Sequence, residues 1–441
     1  ASMSLAILRN NLLLENYIIN ILIAFIPISF IAGNLILNLN VALLILFSLI
    51  FYKSNIFLYK FNLIDKIILL AFILCLFSGL INGFQIFQIE TSNHDLNVIK
   101  KTIVFFRYLL FYFVVRYLVL NKKINFRLFF LSCFTCSIFV CLDIIYQFIF
   151  GFDIFGFSAD THKLSGPFGD ELIAGSYLQR FGIFSLFYLP IFFNIRNKNY
   201  IFLFLTLIFF LVLFSIIVSG NRMPFILFLM IVGMIFLFEK KSRKYFFIFF
   251  ILSSTIFLII YNKNETTKNY FDHFLKTAID IKTSSQRIFS INLSDSDKKL
   301  FNEDPQVFLT NTYVKEFYSG FAAWQQNKFI GGGINSFYSN CRIKVNDCAS
   351  HPHNYYLEIL SELGMAGLLL FVTIFLLILH RTFYLKYFKE KNFNIIIIPF
   401  MYLFLAEIFP IKTSGSFFTT GNATFIFFIM AVTVALSKRS N

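Results

Sequence analysis

Long apolar runs, each close to the length of a bilayer crossing, alternate along this chain with short polar breaks. A hydrocarbon core takes about 20 residues of helix. Runs of that order fall near 17–33, 37–52, 64–84, 102–120, 127–150, 177–195, 199–218, 223–238, 245–261, 359–380, 393–411 and 419–436. They predict an all-α polytopic membrane protein with about twelve transmembrane helices. The runs at 37–52 and 223–238 are short and need little tilt. One break, residues 262–358, is far longer than the rest and rich in Asn, Asp, Ser and Lys. Inside it Val314, Phe317, Phe321 and Trp324 recur at three- and four-residue steps, which predicts a helix whose apolar face buries against the membrane domain or the bilayer interface. A connection this long with structure of its own is usually functional. The chain thus divides into nine helices within 1–261, a large loop at 262–358 and three helices within 359–441. No internal repeat relates the halves, which argues against a repeat-built transporter.

Charge then orients the helices. Basic residues collect in alternate breaks: Lys53, Lys60 and Lys66; Lys122, Lys123 and Arg127; Arg196 and Lys198; Lys240, Lys241, Arg243 and Lys244; Arg381, Lys386, Lys389 and Lys391; and, in the tail, Lys438 and Arg439. Because Lys and Arg favour the cytoplasmic side, both termini are expected in the cytoplasm. Segments 85–101, 151–176, 219–222 and 262–358 then face outward. Composition agrees: 58% of the residues are hydrophobic and 14% charged, against about 25% charged in soluble domains. In a soluble protein the net charge of +15 would point to nucleic acid. Here it sits in short loops, where orientation and anionic lipid account for it, and no nucleic-acid partner is expected. No short apolar stretch with a cleavage site precedes the first run, so an uncleaved chain inserted by its first helix is expected. Cys75, Cys133, Cys136 and Cys141 lie in apolar runs and read as small buried hydrophobes. Cys341 and Cys348 flank a polar stretch of the large loop, where an oxidising compartment would close them into a disulfide.

Four strings carry chemistry-bearing residues. Ser350-His351-Pro352-His353-Asn354 lies where the large loop enters the tenth helix, with Gly364 and Gly367 beyond it. Imidazole takes a proton near neutral pH; alternatively the His and Asn side chains cap the helix. The two glycines permit close helix approach or a bend. Ser219-Gly220-Asn221-Arg222 is a tight outer turn. Its guanidinium either snorkels to the surface or forks onto a phosphate. Lys163 through Glu171 forms an outer loop that leads to Arg180, and Arg107 lies in the outer half of the fourth run, with Arg116 in its inner half. An Arg inside a span is costly and faces the bundle interior with a partner. Arg107, Arg180 and Arg222 therefore either converge on an anion or pair with Asp170, Glu171 or Glu407. Gly331-Gly332-Gly333 permits a tight turn or close approach of a ligand and lacks the ending of a P-loop. No HExxH, GxSxG or acidic metal pair occurs, so neither metal nor cofactor is expected.

His353-Asn354, followed after nine residues by Gly364-x-x-Gly367, resembles the signature of the O-antigen ligases, which share a superfamily with O-antigen polymerases and pilin oligosaccharyltransferases. Ser219-Gly220-Asn221-Arg222 resembles the superfamily's Ser-Gly-x-Arg turn. Leu164-Ser165-Gly166 resembles its Leu-Ser-Gly loop, with Lys163 where the family often has Arg. The stretch from Ala323-Trp324 to Gly333 resembles the segment that precedes the family's histidine. The resemblance runs from about residue 160 to 375. It implies a GT-C-like glycosyltransferase of the bacterial inner membrane with a periplasmic site. Such an enzyme moves a glycan from undecaprenyl diphosphate to an acceptor hydroxyl, with inversion and without a metal. The acceptor is lipid A–core in a ligase, or a second undecaprenyl-linked unit in a polymerase. In that scheme His353 deprotonates or orients the acceptor hydroxyl and Asn354 or His351 positions it. Arg222, Arg180, Lys163 and Arg107 hold the diphosphate.

Overall fold

A backbone in hydrocarbon has no water to pair with, so each N–H and C=O must be satisfied within its own segment, and apolar runs of this length become helices. The computed structural model describes residues 14–438 apart from 54, 59, 88–92, 160–162, 194–197, 240–242, 264, 266–267, 270–271, 273–311, 346–347, 386–393 and 414. Much of the large loop therefore lies outside the described residues, as do Arg196, Lys240, Lys241, Lys386, Lys389, Lys391 and Arg439, on which part of the expected orientation rests.

The principal helices are α1 (Leu14–Ile31), α2 (Asn34–Tyr52), α3 (Leu63–Phe87), α4 (Asn93–Phe105), α5 (Arg107–Leu120), α6 (Phe126–Phe150), α7 (Ala174–Phe192), α8 (Lys198–Val218), α9 (Arg222–Phe238), α10 (Arg243–Lys263), α11 (Thr312–Trp324), α12 (Tyr355–Tyr384), α13 (Ile397–Glu407) and α14 (Thr420–Leu436). Eleven of the twelve apolar runs each fall on one of them, and the run at 102–120 is shared between α4 and α5. Among the described residues, seven helical stretches are long and apolar enough to cross a membrane: α1, α2, α3, Asn97–Leu120 across α4 and α5, α6, α8 and α12. Helices α9, α13 and α14 are apolar but shorter. The chain is thus an all-helical, multi-pass membrane protein. Among the described residues the one β-type pairing recorded is an isolated bridge between Phe152 and Ser158.

Helix α14 is the axis of the bundle. Every residue from Ala423 to Leu436 is buried, and the helix packs against α2, α5, α12 and α13. Its Phe427 ring meets Phe72, Phe105, Tyr108 and Phe417, which shows how a phenylalanine-rich chain fills its centre. The outside is also apolar: Leu35, Leu203, Leu207, Leu369 and Leu376 are more than half exposed, as a lipid-facing surface requires. The sequence places Arg116 inside a span, and there it meets Asp65 at 2.7 Å with both side chains buried. Tyr112 donates to the same carboxylate at 2.9 Å. Removing one partner of such a pair strands the other, at a cost of about 3–5 kcal/mol. Asp65→Ala is accordingly expected to lower the unfolding temperature of the detergent-solubilised protein substantially. An unchanged transition would show that Arg116 does not depend on Asp65.

The amphipathic helix of the large loop forms as expected, as α11, but its buried face differs in part from the sequence reading. Val314 is buried, whereas Phe317 and Phe321 are nearly half exposed. Ser319, Ala322 and Ala323 are buried instead. The cause is steric: Gly320 lets α11 approach so closely that an added Cβ would lie 3.0 Å from Leu357 and 3.4 Å from Pro352. Small residues therefore make the contact, and two of the aromatic rings are left facing outward.

Candidate active site

The described residues of three segments expected to face outward, 151–173, 219–221 and 328–354, are linked to one another or to 408–419: the first to the second by a backbone bond, the third to 408–419 through Asn354, and the first to 408–419 across one cavity. The Leu-Ser-Gly loop meets the Ser-Gly-Asn-Arg turn directly, since the Leu164 amide donates to the Ser219 carbonyl at 3.2 Å. Gly175, at the start of α7, lies against that turn; a Cβ there would come within 2.6 Å of Asn221 and 2.8 Å of the Ser219 hydroxyl. The Asn221 amide donates back to the Ser219 carbonyl at 3.1 Å. Arg222 then opens α9, and the next residues, Met223 and Pro224, line a cavity of about 280 Å³ with Glu171, Arg180, Lys412 and Asn422. Lys163, part-buried, directly precedes the tethered Leu164. Two strings that are distant in sequence are thus one surface.

Of the three acids open to Arg180, the structure selects Glu407. The guanidinium meets this carboxylate in a fork at 2.8 and 3.0 Å and donates to Asn422 at 2.7 Å. Lys412 reaches the same carboxylate at 2.5 Å, and its ammonium lies 4.9 Å from the centre of the Tyr355 ring. Two cations on one buried carboxylate leave one net positive charge beside the cavity. Sequence reasoning missed Lys412; the available signal was a lone Lys five residues past Glu407, in a break otherwise poor in basic residues. Arg107 does not join this cluster. It donates to Tyr108 at 2.9 Å and to Thr420 at 3.4 Å and lines a neighbouring cavity.

Asn354 caps α12: its carbonyl oxygen accepts from the amides of Tyr356 and Leu357 at 3.0 and 3.2 Å, and its side-chain amide donates to the Pro410 carbonyl at 2.8 Å. Tyr356 adds a bond to the Ile408 carbonyl. The histidine end of α12 is thereby tied to the segment that carries Lys412 into the cavity wall. Both ends of the Asn354 side chain are used by the scaffold, which makes its contribution one of position. His353 adopts φ 49°, a conformation that costs a non-glycine residue about 1–3 kcal/mol and clusters at functional sites. Its Nε2 lies 3.7 Å from Glu316 of α11, and its ring centre 4.2 Å from that of His351. Glu316 gave no sequence signal, being one polar residue on an amphipathic helix. Burial raises its carboxyl above the usual range, and the neighbouring His353 opposes this.

Burial, reinforced by His353, lowers His351 from 6.5 to about 4, so this ring is neutral at pH 7. The unfolded chain then takes up a proton on this residue before the folded one does. The associated stability is complete above pH 6.5 and is lost as pH falls toward 4. His351→Gln is expected to flatten this part of the unfolding-temperature profile between those pH values. Parallel profiles would contradict the assignment.

The glycines are where two backbones interlock. At Gly364 helix α12 breaks, with φ 67° and ψ −169°, and the amides of Met365 and Ala366 turn to the carbonyls of Lys328 and Phe329 at 2.9 and 3.1 Å. Gly333 donates to Glu362 at 2.8 Å. A Cβ on Gly331 would lie 2.2 Å from the Glu362 carbonyl carbon, and one on Gly364 would lie 2.3 Å from Phe329 backbone. The glycine run and Gly364 therefore form a single loop-to-helix joint, whereas Gly367 faces its own helix at Leu363. Cys341 and Cys348 are joined by a disulfide beside this joint. Among the described residues no group of three or more His, Cys, Asp or Glu has the spacing to hold a metal ion.

Residues 207–372 match the family model described as O-antigen ligase. The match takes in the Ser219–Arg222 turn, the glycine run, His353 and Gly364, and it supports the O-antigen ligase-like superfamily that these strings resemble. Lys163, Arg180 and Arg107 lie outside it. No curated protein matches the chain significantly.

Proposed function

We propose, on the premise of the O-antigen ligase domain, that the chain is a membrane glycosyltransferase that moves a glycan from undecaprenyl diphosphate to an acceptor hydroxyl. The reaction takes place on the periplasmic face of a bacterial inner membrane, with twelve helices crossing and both termini in the cytoplasm. The observation that carries this reading is that the end of α12 bearing His353, with Glu316 beside the imidazole, is tied through Asn354 and Tyr356 to the segment that brings Lys412 into the wall of the cavity Arg180 also lines. His353 takes the proton of the acceptor hydroxyl as its oxygen attacks the anomeric carbon. The bond from that carbon to the diphosphate oxygen breaks on the opposite face, so the configuration inverts. The diphosphate leaves with the electron pair. Arg222 and the net-positive Arg180–Glu407–Lys412 cluster offset the charge that develops on it. Chelators are expected to leave the rate unchanged.

The acceptor we assign is lipid A–core, because the His-Asn-x9-Gly-x-x-Gly string resembles the ligases; the family match supports ligase- and polymerase-type transfer alike. The test offers purified protein and lipid-linked glycan either lipid A–core or a second lipid-linked unit. Product on lipid A–core supports the ligase. Chain extension alone makes the protein a polymerase, and no product with either acceptor removes the proposal.

A further inference from the structure

The cavity that Arg107 lines is larger than the one beside Arg180, about 540 Å³, and its charge is of a different kind. Lys100 and Lys101 of α4 and Arg107 of α5 all reach it, and among the described residues no carboxylate lines it. The charge of Lys101 is felt by Glu362. In the first cavity, by contrast, Arg180 and Lys412 share Glu407, and Glu171 also faces in. A phosphate group entering there meets cations already engaged. Entering the second, it meets three positive charges with no acid among the described residues of the wall, together with neutral donors from Asn34, Asn38 and Thr420.

The flanks of the second cavity are apolar. Ile103 and Val104 on α4, and Leu35 and Leu39 on α2, are 42–78% exposed. A headgroup in the cavity would have its hydrocarbon tail beside these residues, on the lipid-facing surface. Asn34 and Thr419 line both cavities, so the two sites share a wall.

We propose that the Lys100–Lys101–Arg107 cavity binds the phosphate group of a lipid-linked substrate, separately from the Arg180 cavity. The inference rests on the transfer reaction proposed above, in which two lipid-borne substrates must be held at once. Donor diphosphate and acceptor phosphate share the chemistry that the cavity recognises, and the experiment separates them. Binding of undecaprenyl diphosphate and of lipid A–core is measured separately by native mass spectrometry on the full-length protein. The background is His353→Ala, with and without K100Q/K101Q. Affinity for one ligand is expected to fall about tenfold or more, with the other unchanged. The ligand that is lost identifies the substrate held there, and K100R/K101R is expected to restore it. Equal binding of both ligands with and without K100Q/K101Q, or equal loss of both, overturns the inference. The reading of the reaction itself fails on a different result, full transfer by His353→Ala with Lys100 and Lys101 intact.

Discussion

His353→Ala is expected to lower glycan transfer by about 10²–10⁴-fold while the protein still folds. The side chain is 39% exposed and its recorded contacts are the ring of His351 and one edge of Glu316, so truncation opens no core cavity. What is lost is the proton acceptor at the start of α12. Glu316→Gln separates position from chemistry. It keeps the shape beside the imidazole but removes the charge, and is expected to shift the pH dependence of the rate more than its maximum. Initial rates on lipid-linked glycan, with unfolding temperatures measured in parallel, check both expectations. A His353→Ala protein that transfers at the normal rate would remove the imidazole from the mechanism.

Arg222→Ala is expected to cost about 10²–10³-fold in turnover, the range seen when one preorganised donor to a developing charge is removed. Arg222→Lys should recover only part of this, because an ammonium is a point charge and cannot fork onto two phosphate oxygens. Lys163→Ala should cost less than either, since a lysine there has no fork to lose. Arg180 offers the contrast. It is held in a fork by buried Glu407, so Arg180→Ala leaves that carboxylate to Lys412 alone and is expected to reduce stability together with activity. The discriminating measurement is the unfolding temperature, which should be lowered by Arg180→Ala through the loss of its buried ion pair with Glu407.

The helices were legible in the sequence because lipid imposes a characteristic length on crossing segments, so the apolar runs are found on helices, one of them divided between α4 and α5. The partner of Arg116 was not legible, although the need for one was. Asp65 lies at the far end of another helix, and only packing brings the two together. Arg180 had three candidate acids, and the choice of Glu407, 227 residues away, is a tertiary fact. Lys412 and Glu316 were missed because each is an ordinary polar residue until its segment folds against α12. Gly364 was visible as a glycine, but a glycine does not announce what approaches it. Here that is another stretch of backbone, and the residue serves as a loop joint. The α11 face shows the converse. Apolar spacing identifies a face, but Gly320 and the alanines beside it decide which part of the helix can come close.

Lys163, Arg222 and His353 are expected to border one reaction space that opens to the outside of the cell. Single cysteines at positions 163, 222 and 353 can be probed with a membrane-impermeant maleimide in intact spheroplasts. The native background is low, because Cys75, Cys133, Cys136 and Cys141 are buried and Cys341 and Cys348 are paired. The account predicts labelling at all three positions without permeabilisation. Labelling of position 222 or 353 only after the membrane is opened would contradict it.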